Sequence, residues 1–328
     1  MKFSRLLFII AGIGIAAYLI VAQGIDDVLQ ALHLAGWTGL GSITLFHVLP
    51  TVLCGVAWWL LLRVHSGESW LTLTWVRWIR DGLDGVLPIV PVSGELIGAR
   101  ILALRGLDLA GASVIVDMTA ELLSQVLYAM IGLALLIAIN PAAPYRLWIA
   151  AGIGVMTLLC VGFLIAQKKG LFQLIDHPLE WIRRSRGKAV SATDRTLHDR
   201  ILLLYRHGWP FLGCILVHLV AWLVSAFETS IGLWFMGHPL PIGQVFAIEG
   251  LVYAVRAVTF FVPAGVGVQE GAYVLIGGML GLQPDLALAV SLLKRGRDLI
   301  IGVPALLVWQ IIEARQLKWM RRHNDARI

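Results

Sequence analysis

The sequence is poor in charged residues, and this shortage restricts what the chain can be. Only 14% of its 328 residues are charged, whereas 59% are hydrophobic, and the mean hydropathy is +0.83. A soluble domain uses a much larger charged fraction to cover its surface. The composition therefore excludes an ordinary soluble globular protein and predicts one that lies in a membrane.

The sequence also lacks the motifs of several enzyme and metal-site classes. Its three cysteines, Cys54, Cys160 and Cys214, stand alone in apolar stretches and form no C-x-x-C pair, so neither a disulfide framework nor a zinc site is indicated. No Walker-type GK[ST] motif is present, and no polar region is large enough for an ATPase or transferase domain. We predict no cofactor, no metal site and no catalytic residues.

Apolar runs of about twenty residues recur along the chain, and each is long enough to cross the hydrocarbon core as a helix. Helices are expected because every backbone polar group in lipid needs a partner within its own segment. We therefore predict an all-α polytopic membrane protein, a single transmembrane domain over residues 1–328. The predicted full spans are about Leu6 to Ala22, Leu40 to Leu62, Leu109 to Ile139, Leu147 to Ala166, Pro210 to Phe235 and Leu286 to Trp309.

The first of these spans resembles a signal peptide, because Lys2 and Arg5 precede an apolar run. Its apolar run is long, however, and no good small-residue cleavage site follows. We interpret it as a retained first helix.

Two further apolar stretches, Leu83 to Leu104 and Ile242 to Leu280, are interrupted near their centres. The breaking residues are Pro88, Pro91 and Gly94 in the first and Pro263, Gly265, Gly267 and Gly271 in the second. Proline removes a backbone donor and glycine tolerates unusual dihedral angles, so each stretch is predicted to form two half-helices around a break. Hydropathy does not distinguish such a re-entrant hairpin from two short full spans.

The distribution of the 26 Lys and Arg residues predicts the orientation, because short cytoplasmic loops carry an excess of them. The N-terminus, the basic linker at 167–208 and the C-terminal tail are rich in Lys and Arg, so we place all three in the cytoplasm. We expect the chain to return there near Arg63, Arg77 and Arg80 as well. On this path Arg146 is the one basic residue in an outer loop.

An internal repeat supports the same path. A shift of 175 residues superposes Pro88 on Pro263 and Glu95 on Glu270 without a gap, and both copies contain P-x6-E-x10-G-L. We predict repeat units at 40–139 and 209–312. Three full spans separate the two copies, so they are expected to have opposite orientations. Inverted repeats with broken helices are typical of secondary transporters.

Charged residues inside predicted spans are the main functional signal. Asp117, Glu121 and Gln125 recur on one helical face, and the last span carries Lys294, Arg295, Arg297 and Asp298. At 1.5 Å per residue, Glu121 and Arg297 lie roughly 17 to 18 Å from the membrane surfaces, near mid-bilayer. Since a charge there costs about 2.5 to 3.5 kcal/mol on insertion scales, these groups need partners or water. One interpretation is mutual neutralisation that fixes helix packing. The other is a polar cavity for a lipid head group.

Two glutamates and one arginine in the hairpins extend this candidate site. Glu95 and Glu270 begin the second half-helix of each hairpin, where a carboxylate either complements the helix dipole or contacts substrate. Arg256, in the second hairpin, is a further cavity candidate. The predicted substrate-binding residues are therefore Asp117, Glu121, Lys294, Arg295, Arg297, Asp298, Glu270, Glu95 and Arg256.

The run FVPAGVGVQEGAYVLIGGMLGL at 261–282 resembles the P-x-G-x-G-x-x-E-G region of the lysylphosphatidylglycerol synthase transmembrane family, also called flippase-like. The matching residues are Pro263, Gly265, Gly267, Glu270 and Gly271. The chain looks most like the hopanoid-biosynthesis-associated members. It departs from the family at Ala264, where Gly is frequent, and at Gln269, where a basic residue is common, and either change can alter head-group preference.

The resemblance implies a multi-pass protein of the bacterial inner membrane that moves or presents lipids. The sequence contains no large soluble catalytic domain like that of the lysyl-transferring enzymes, so we expect no aminoacyl transfer. Our leading hypothesis is a translocase for a hopanoid or another polar-headed lipid, with lipid-biosynthesis or export proteins as partners and no nucleic acid. The alternatives are a non-transporting scaffold that docks enzymes through the basic linker, and a membrane-embedded enzyme using Asp117 and Glu121 as acid and base.

Overall fold

The computed structural model describes residues 25–86, 93–142, 146–171, 196–259, 262 and 265–325, and within these ranges all regular structure is helical. Side chains are described up to residue 316. The described helices are α1 (Ile25–Phe46), α2 (Val48–Leu62), α3 (Trp70–Val86), α4 (Ser93–Leu104), α5 (Ala110–Ile139), α6 (Arg146–Lys168), α7 (Leu197–Tyr205), α8 (Gly208–Phe235), α9 (Ile242–Val258), α10 (Val268–Met279) and α11 (Pro284–Asp325).

Several of these helices are long and apolar enough to cross a bilayer. Among the described residues they are Val28–Leu62, which joins α1 and α2, together with α5, α6 and α8. They contain four of the predicted spans. The helix α11 covers a further predicted span, Leu286 to Trp309, although the charged residues near position 295 set this helix apart by composition. The predicted span at 6–22 lies outside the described residues.

The first hairpin begins earlier than the sequence suggested. We expected Arg77 and Arg80 near the cytoplasmic surface and the hairpin to start at Leu83, but both arginines lie within α3 and are buried. Hydropathy misses α3 because its charged residues lower the average, whereas in the folded chain those charges are paired inside the protein. The predicted breakers Pro88 and Pro91 lie outside the described residues.

The second break is described on both of its sides. The helix α9 ends at Val258 and α10 begins at Val268. Between them Gly265 and Gly267 have φ values of +58° and +79°, in the region that favours glycine. This local conformation is the physical reason for the glycines in the motif.

The interior is built from helix pairs whose directions can be followed from their contacts. The α1–α2 segment runs antiparallel to α8, since His47 contacts Glu228 while Leu60 lies beside Gly213. In contrast, α5 runs in the same direction as α8, with Asp117 next to His218 and Ser124 bonded to Trp222. These contacts place the acidic face of α5 in the protein interior.

Each hairpin packs its first helix against a long helix from the other half of the chain. The helix α3 is antiparallel to α11, where Gly82 faces Ala305 and Gly85 faces Asp298. Likewise α9 is antiparallel to α5, and a Cβ at Gly250 would lie 2.8 Å from the carbonyl oxygen of Tyr128. Only glycine allows the second pair of backbones to approach this closely.

The two ends of each hairpin lie near one another. Arg105, just after α4, bonds to Glu68, just before α3, with Nε and Oε1 3.1 Å apart. In the second hairpin the amide of Asn140 donates to the carbonyl of Met279 at the end of α10 (2.9 Å). The neighbouring Ile139 lies beside Gly243 at the start of α9.

Candidate functional site

The most extensive group of buried charges joins α3 to α5. We call it the α3–α5 network, formed by Arg77, Arg80, Asp81, Glu95, Asp117 and Glu121. The Arg77 guanidinium donates to Glu121 Oε1 (2.6 Å) and to Asp117 Oδ2 (3.2 Å). Arg80 donates to the same oxygen of Asp117 (2.8 Å) and to Glu121 Oε2 (3.1 Å). Two cations thus share two carboxylates, and charge-assisted bonds of this kind are the strong ones.

Two more groups complete this network at its edges. Asp81 accepts from Arg77 Nε at 2.7 Å, and Glu95 at the start of α4 lies 3.6 Å from Arg80. The α3–α5 network therefore ties the tip of the first hairpin to the long helix that follows it. Among the groups of this network that the structure describes, the side chains of Asp81, Glu121 and Glu95 keep 32%, 17% and 15% exposure, whereas Asp117 keeps none.

The other oxygen of Asp117 faces α8, where it meets His218 Nε2 at 3.0 Å and Cys214 Sγ at 3.8 Å. The ligand atoms of Asp117, Cys214 and His218 lie within 4.8 Å of one another, and their types suit a transition metal. Arg77 and Arg80, however, already neutralise this carboxylate, and their charges oppose a cation. The cluster is accounted for by hydrogen bonding alone.

A second buried ion pair lies between α9 and α11. Lys294 Nζ donates to Glu249 Oε2 at 2.6 Å and to the hydroxyl of Tyr273 at 2.9 Å. The remaining oxygen of Glu249 accepts from Thr229 at 2.5 Å and from Tyr273. Both charged side chains are almost completely buried, and each has several partners, as a buried pair requires.

At the second hairpin, Glu270 lies at the start of α10, where the sequence analysis expected a carboxylate that complements the helix dipole, and the structure adds a capping interaction. Its Oε2 accepts from the backbone N–H of Gly267 (2.8 Å) at the start of α10, and its Oε1 accepts from Arg295 Nε (2.5 Å). Arg295 also donates to the carbonyl of Gly265 at 3.2 Å. The carboxylate thus holds the glycine turn against α11, and a direct role toward substrate stays a prediction.

A further ion-paired group, the Glu228 cluster, consists of His47, Glu228, Arg297 and Asp298. Arg297 donates to Glu228 and, through Nη2, to Asp298 at 2.6 Å. His47 Nδ1 lies 2.8 Å from Glu228 Oε1. Glu228 is fully buried, while the Asp298 side chain is 33% exposed.

The structure brings some predicted site residues together and separates others. Asp117 and Glu121 do not meet Lys294, Arg295 or Arg297, because the α3 arginines occupy the acidic face of α5. The sequence-based pairing of Glu121 with Arg297 is therefore wrong. Glu95 lies with Arg80, and Arg256 places its guanidinium 5.8 Å from the Tyr253 ring centroid without forming an ion pair among the described residues.

Sequence reasoning missed the cations of α3 and undervalued His47 and Glu228. A signal for the first was present, since Arg77, Arg80, Asp81 and Asp84 fall at spacings of three and four residues. Such spacing places charges on one helical face. It is typical of a helix with a polar interior face, and not of a loop.

A cavity of about 580 Å³ lies between the end of α6 and the helix α7, apart from the buried charges. Lys168, Asp199, Tyr205 and Arg206 contribute its polar lining. None of the predicted site residues borders it.

Comparison with known protein families gives a match over residues 9–321 to the family described as the lysylphosphatidylglycerol synthase TM region. The chain belongs to this family. The match covers nearly the whole sequence and so extends the resemblance first seen at 261–282. It supports a multi-pass membrane protein connected with lipid metabolism. No curated protein and no solved structure matched the chain.

Proposed function

We propose that this member of the family is a lipid translocase, moving a hopanoid or another polar-headed lipid between leaflets. The observation that carries the proposal is that each hairpin packs against a long helix from the other half of the chain. The hairpin helix α3 packs on α11, and its counterpart α9 packs on α5. Movement of either hairpin therefore changes the surface that the other half presents.

The helix directions support an inverted repeat. The helices α5 and α8 run together, α2 runs against α8, and α3 returns along α2, where a Cβ at Gly55 would meet Thr74. Because α9 opposes α5 and α11 opposes α3, the corresponding helices of the two halves point in opposite directions. The half-helices α4 and α10 also begin 175 residues apart and have 12 residues each. This plan suits alternating access around a central site.

The neighbouring hairpin ends support re-entrant hairpins over short full spans. Each pair of half-helices begins and ends at the same level of the bundle, next to Glu68 and Arg105 in one case and next to Asn140 in the other. On the positive-inside distribution, the first hairpin enters from the cytoplasm and the second from outside. A lipid head group bound between their tips would lie near the middle of the membrane.

We assign to the head group Arg256 and several partly exposed members of the ion networks. Arg256, Asp298, Arg295, Glu121 and Glu95 retain exposed surface. Hydroxyl and phosphate groups bind such side chains, while the apolar tail stays in lipid. We propose that Asp117, Lys294 and Arg297 position the neighbouring helices and side chains, because these three groups are buried and their charges are paired with other protein groups. Arg256 is the leading contact for an anionic head group, since it is not committed to an ion pair among the described residues.

The enzyme alternative is less well supported by this geometry. Both oxygens of Asp117 and of Glu121 already accept hydrogen bonds from protein groups, so proton transfer by this pair would first require these bonds to break. That the chain is not an enzyme stays a prediction. A translocase leaves its lipid chemically unchanged, whereas an enzyme does not, and mass spectrometry of the recovered lipid separates the two.

The test is a leaflet-transfer assay with purified protein in closed vesicles. Fluorescent derivatives of phosphatidylglycerol, phosphatidylethanolamine and a polyhydroxylated hopanoid are incorporated, and an impermeant reductant removes the outer-leaflet signal. Transfer of at least one probe by the wild type is expected. Transfer of none of them would contradict the proposal.

Arg256→Gln sharpens the same assay. We expect it to slow transfer about tenfold, the effect of losing roughly 1.4 kcal/mol of differential binding. The matched control is Arg100→Gln, which makes the same chemical change in an exposed pair with Glu313, and it should transfer normally. Equal rates for the two variants would remove Arg256 from the site.

A further inference from the structure

A small cavity lies between the α3–α5 network and the Glu228 cluster, where α3 packs against α11. Its volume is about 30 Å³, and its polar lining consists of His47, Thr51, Asp81 and Asp298. A cavity of this size holds about one or two water molecules when polar partners are available. It therefore offers a hydrogen-bonding bridge between groups that do not contact each other directly.

The groups at this cavity belong to different networks. Asp81 is held by Arg77 of the α3–α5 network at 2.7 Å. Asp298 is held by Arg297 at 2.6 Å, and His47 lies 2.8 Å from Glu228. Water in the cavity would join the α3–α5 network to the Glu228 cluster. The result is one continuous polar path across the interface between the first hairpin and α11.

The joined networks contain more carboxylates than cations. Six carboxylates are present: Asp81, Glu95, Asp117, Glu121, Glu228 and Asp298. A seventh, Asp84 of α3, interacts electrostatically with Asp81 and Glu95. Three guanidinium groups face them: Arg77, Arg80 and Arg297. Residues 87–92 contribute no ionisable side chain.

Other elements packed around the cavity do not remove this imbalance. Arg256 of α9 acts on Asp298 electrostatically and provides a fourth positive charge. Lys294 of α11 is committed to Glu249. Negative charge in excess of its partners is costly in a largely buried network, and further positive charge lowers that cost. His47, His218 and the carboxylates themselves can supply it by taking up protons. Asp81 and Asp298 keep 32% and 33% exposure, so protons can exchange with water at these two groups.

We propose that the cavity between Asp81, Asp298 and His47 binds an exchangeable proton that is coupled to lipid movement. The coupling rests on the proposed function, whereas the proton binding does not. Uptake of the proton neutralises one of the two carboxylates that face each other across the α3–α11 contact. Release of the proton to the aqueous phase restores that negative charge and changes the attraction between this cavity and Arg256.

The coupling is tested by the steady-state distribution of the transferred fluorescent lipid in vesicles with a pH difference of about one unit. One proton moved per lipid would bias the two leaflets by up to about tenfold. We expect this bias in the wild type and its loss in Asp81→Asn and in Asp298→Asn. The matched control, Asp108→Asn, changes an exposed carboxylate outside the networks and should retain the bias.

Proton binding is measured independently by infrared difference spectroscopy of the purified protein between about pH 5 and pH 8. A protonated-carboxyl signal that diminishes in Asp81→Asn or Asp298→Asn supports the site. Its absence from the wild type overturns the site whether or not the variants fold. Lipid transfer that ignores the pH gradient, or follows a sodium gradient instead, overturns the coupling and leaves the proposed function intact. Transfer of no lipid defeats the proposed function, and the infrared result still decides proton binding.

Discussion

Arg77 and Arg80 of α3 are buried, so water cannot take the place of their carboxylate partners. Replacing Arg80 by Gln leaves Asp117 and Glu121 short of one cation in the interior. The expected loss is about 3 to 5 kcal/mol of unfolding free energy, because it leaves buried charge uncompensated. Thermal unfolding in detergent, followed by gel filtration of the soluble fraction, measures the change.

The control for this prediction is the exposed pair Arg100–Glu313, in which the arginine side chain is 48% exposed. Arg100→Gln should cost no more than about 1 kcal/mol, as for other surface ion pairs. Losses of the same size in Arg80→Gln and Arg100→Gln would show that Arg80 is not a buried structural cation.

The Glu249–Lys294 pair allows packing and transport to be separated. Either Glu249→Gln or Lys294→Gln alone should destabilise the protein by about 3 to 5 kcal/mol, and the double replacement should recover most of that loss. We expect the recovered double variant to transfer lipid at least tenfold more slowly, since it lacks the charge that positions α9 against α11. Normal transfer by a stable double variant would assign the pair to packing alone.

At the residue scale, the sequence predicted which charges are buried better than it predicted their partners. Helix rise places Glu121 and Arg297 at similar depths, and that depth calculation needs the sequence alone. Their pairing also depends on which helices are neighbours, and α3 lies between the two. The place of Glu270 at the start of a half-helix was predicted because it depends on nearby residues, whereas its capping bond to Gly267 was not predicted.

At the element scale, close backbone contact between α9 and α5 depends on Gly250. Gly250→Ala places a methyl group 2.8 Å from the Tyr128 carbonyl oxygen, which forces the helices apart. The expected cost is about 1 to 3 kcal/mol, as in other overpacked interiors. The thermal stability of the purified protein in detergent reports it.

Gly278→Ala is the matched control, because a Cβ there has no neighbour within 4 Å. It removes a glycine from the α10 helix and should leave stability unchanged or raise it by up to about 1 kcal/mol. If Gly250→Ala is as stable as Gly278→Ala, the two helices are not in close contact.

Most of the predicted spans correspond to helices in the structure, and the reason is physical. Only 33% of the apolar window of α5 and 28% of that of α8 is buried within the protein, so the hydropathy of these helices reflects the apolar surroundings expected of a membrane span. The helix α3 faces protein and carries paired charges, so its hydropathy resembles that of a loop. Hydropathy therefore predicted the helices whose residues are apolar because they face lipid. It did not predict α3, whose charged residues pair with other protein groups.

At the scale of the whole molecule, the proposed inverted repeat predicts that corresponding positions are exposed on opposite sides of the membrane. Asp108 and Gln283 are 175 residues apart, and both are exposed just beyond their hairpins. Single cysteines at these positions, in a background without Cys54, Cys160 and Cys214, should react with an impermeant thiol reagent from opposite sides of the membrane.

A third cysteine, at the exposed Gly67 before α3, tests whether the first hairpin is re-entrant. It should be labelled from the same side as Asp108→Cys. Labelling of those two from opposite sides would show that α3 and α4 together make a single net crossing. Labelling of Asp108→Cys and Gln283→Cys from one common side would eliminate the inversion.

Most buried ion pairs of the described residues form within one half of the chain, and this has a consequence for the order in which the halves are made. Arg77 and Arg80 find Asp117 and Glu121 within the first half, and Glu228, Glu249 and Glu270 find their cations within the second. Among the buried ion pairs of the described residues, those that cross between the halves involve His47 and His218, which can be neutral. The first half can thus match its arginines during insertion without any residue of the second half. Its insertion need not wait for the rest of the chain.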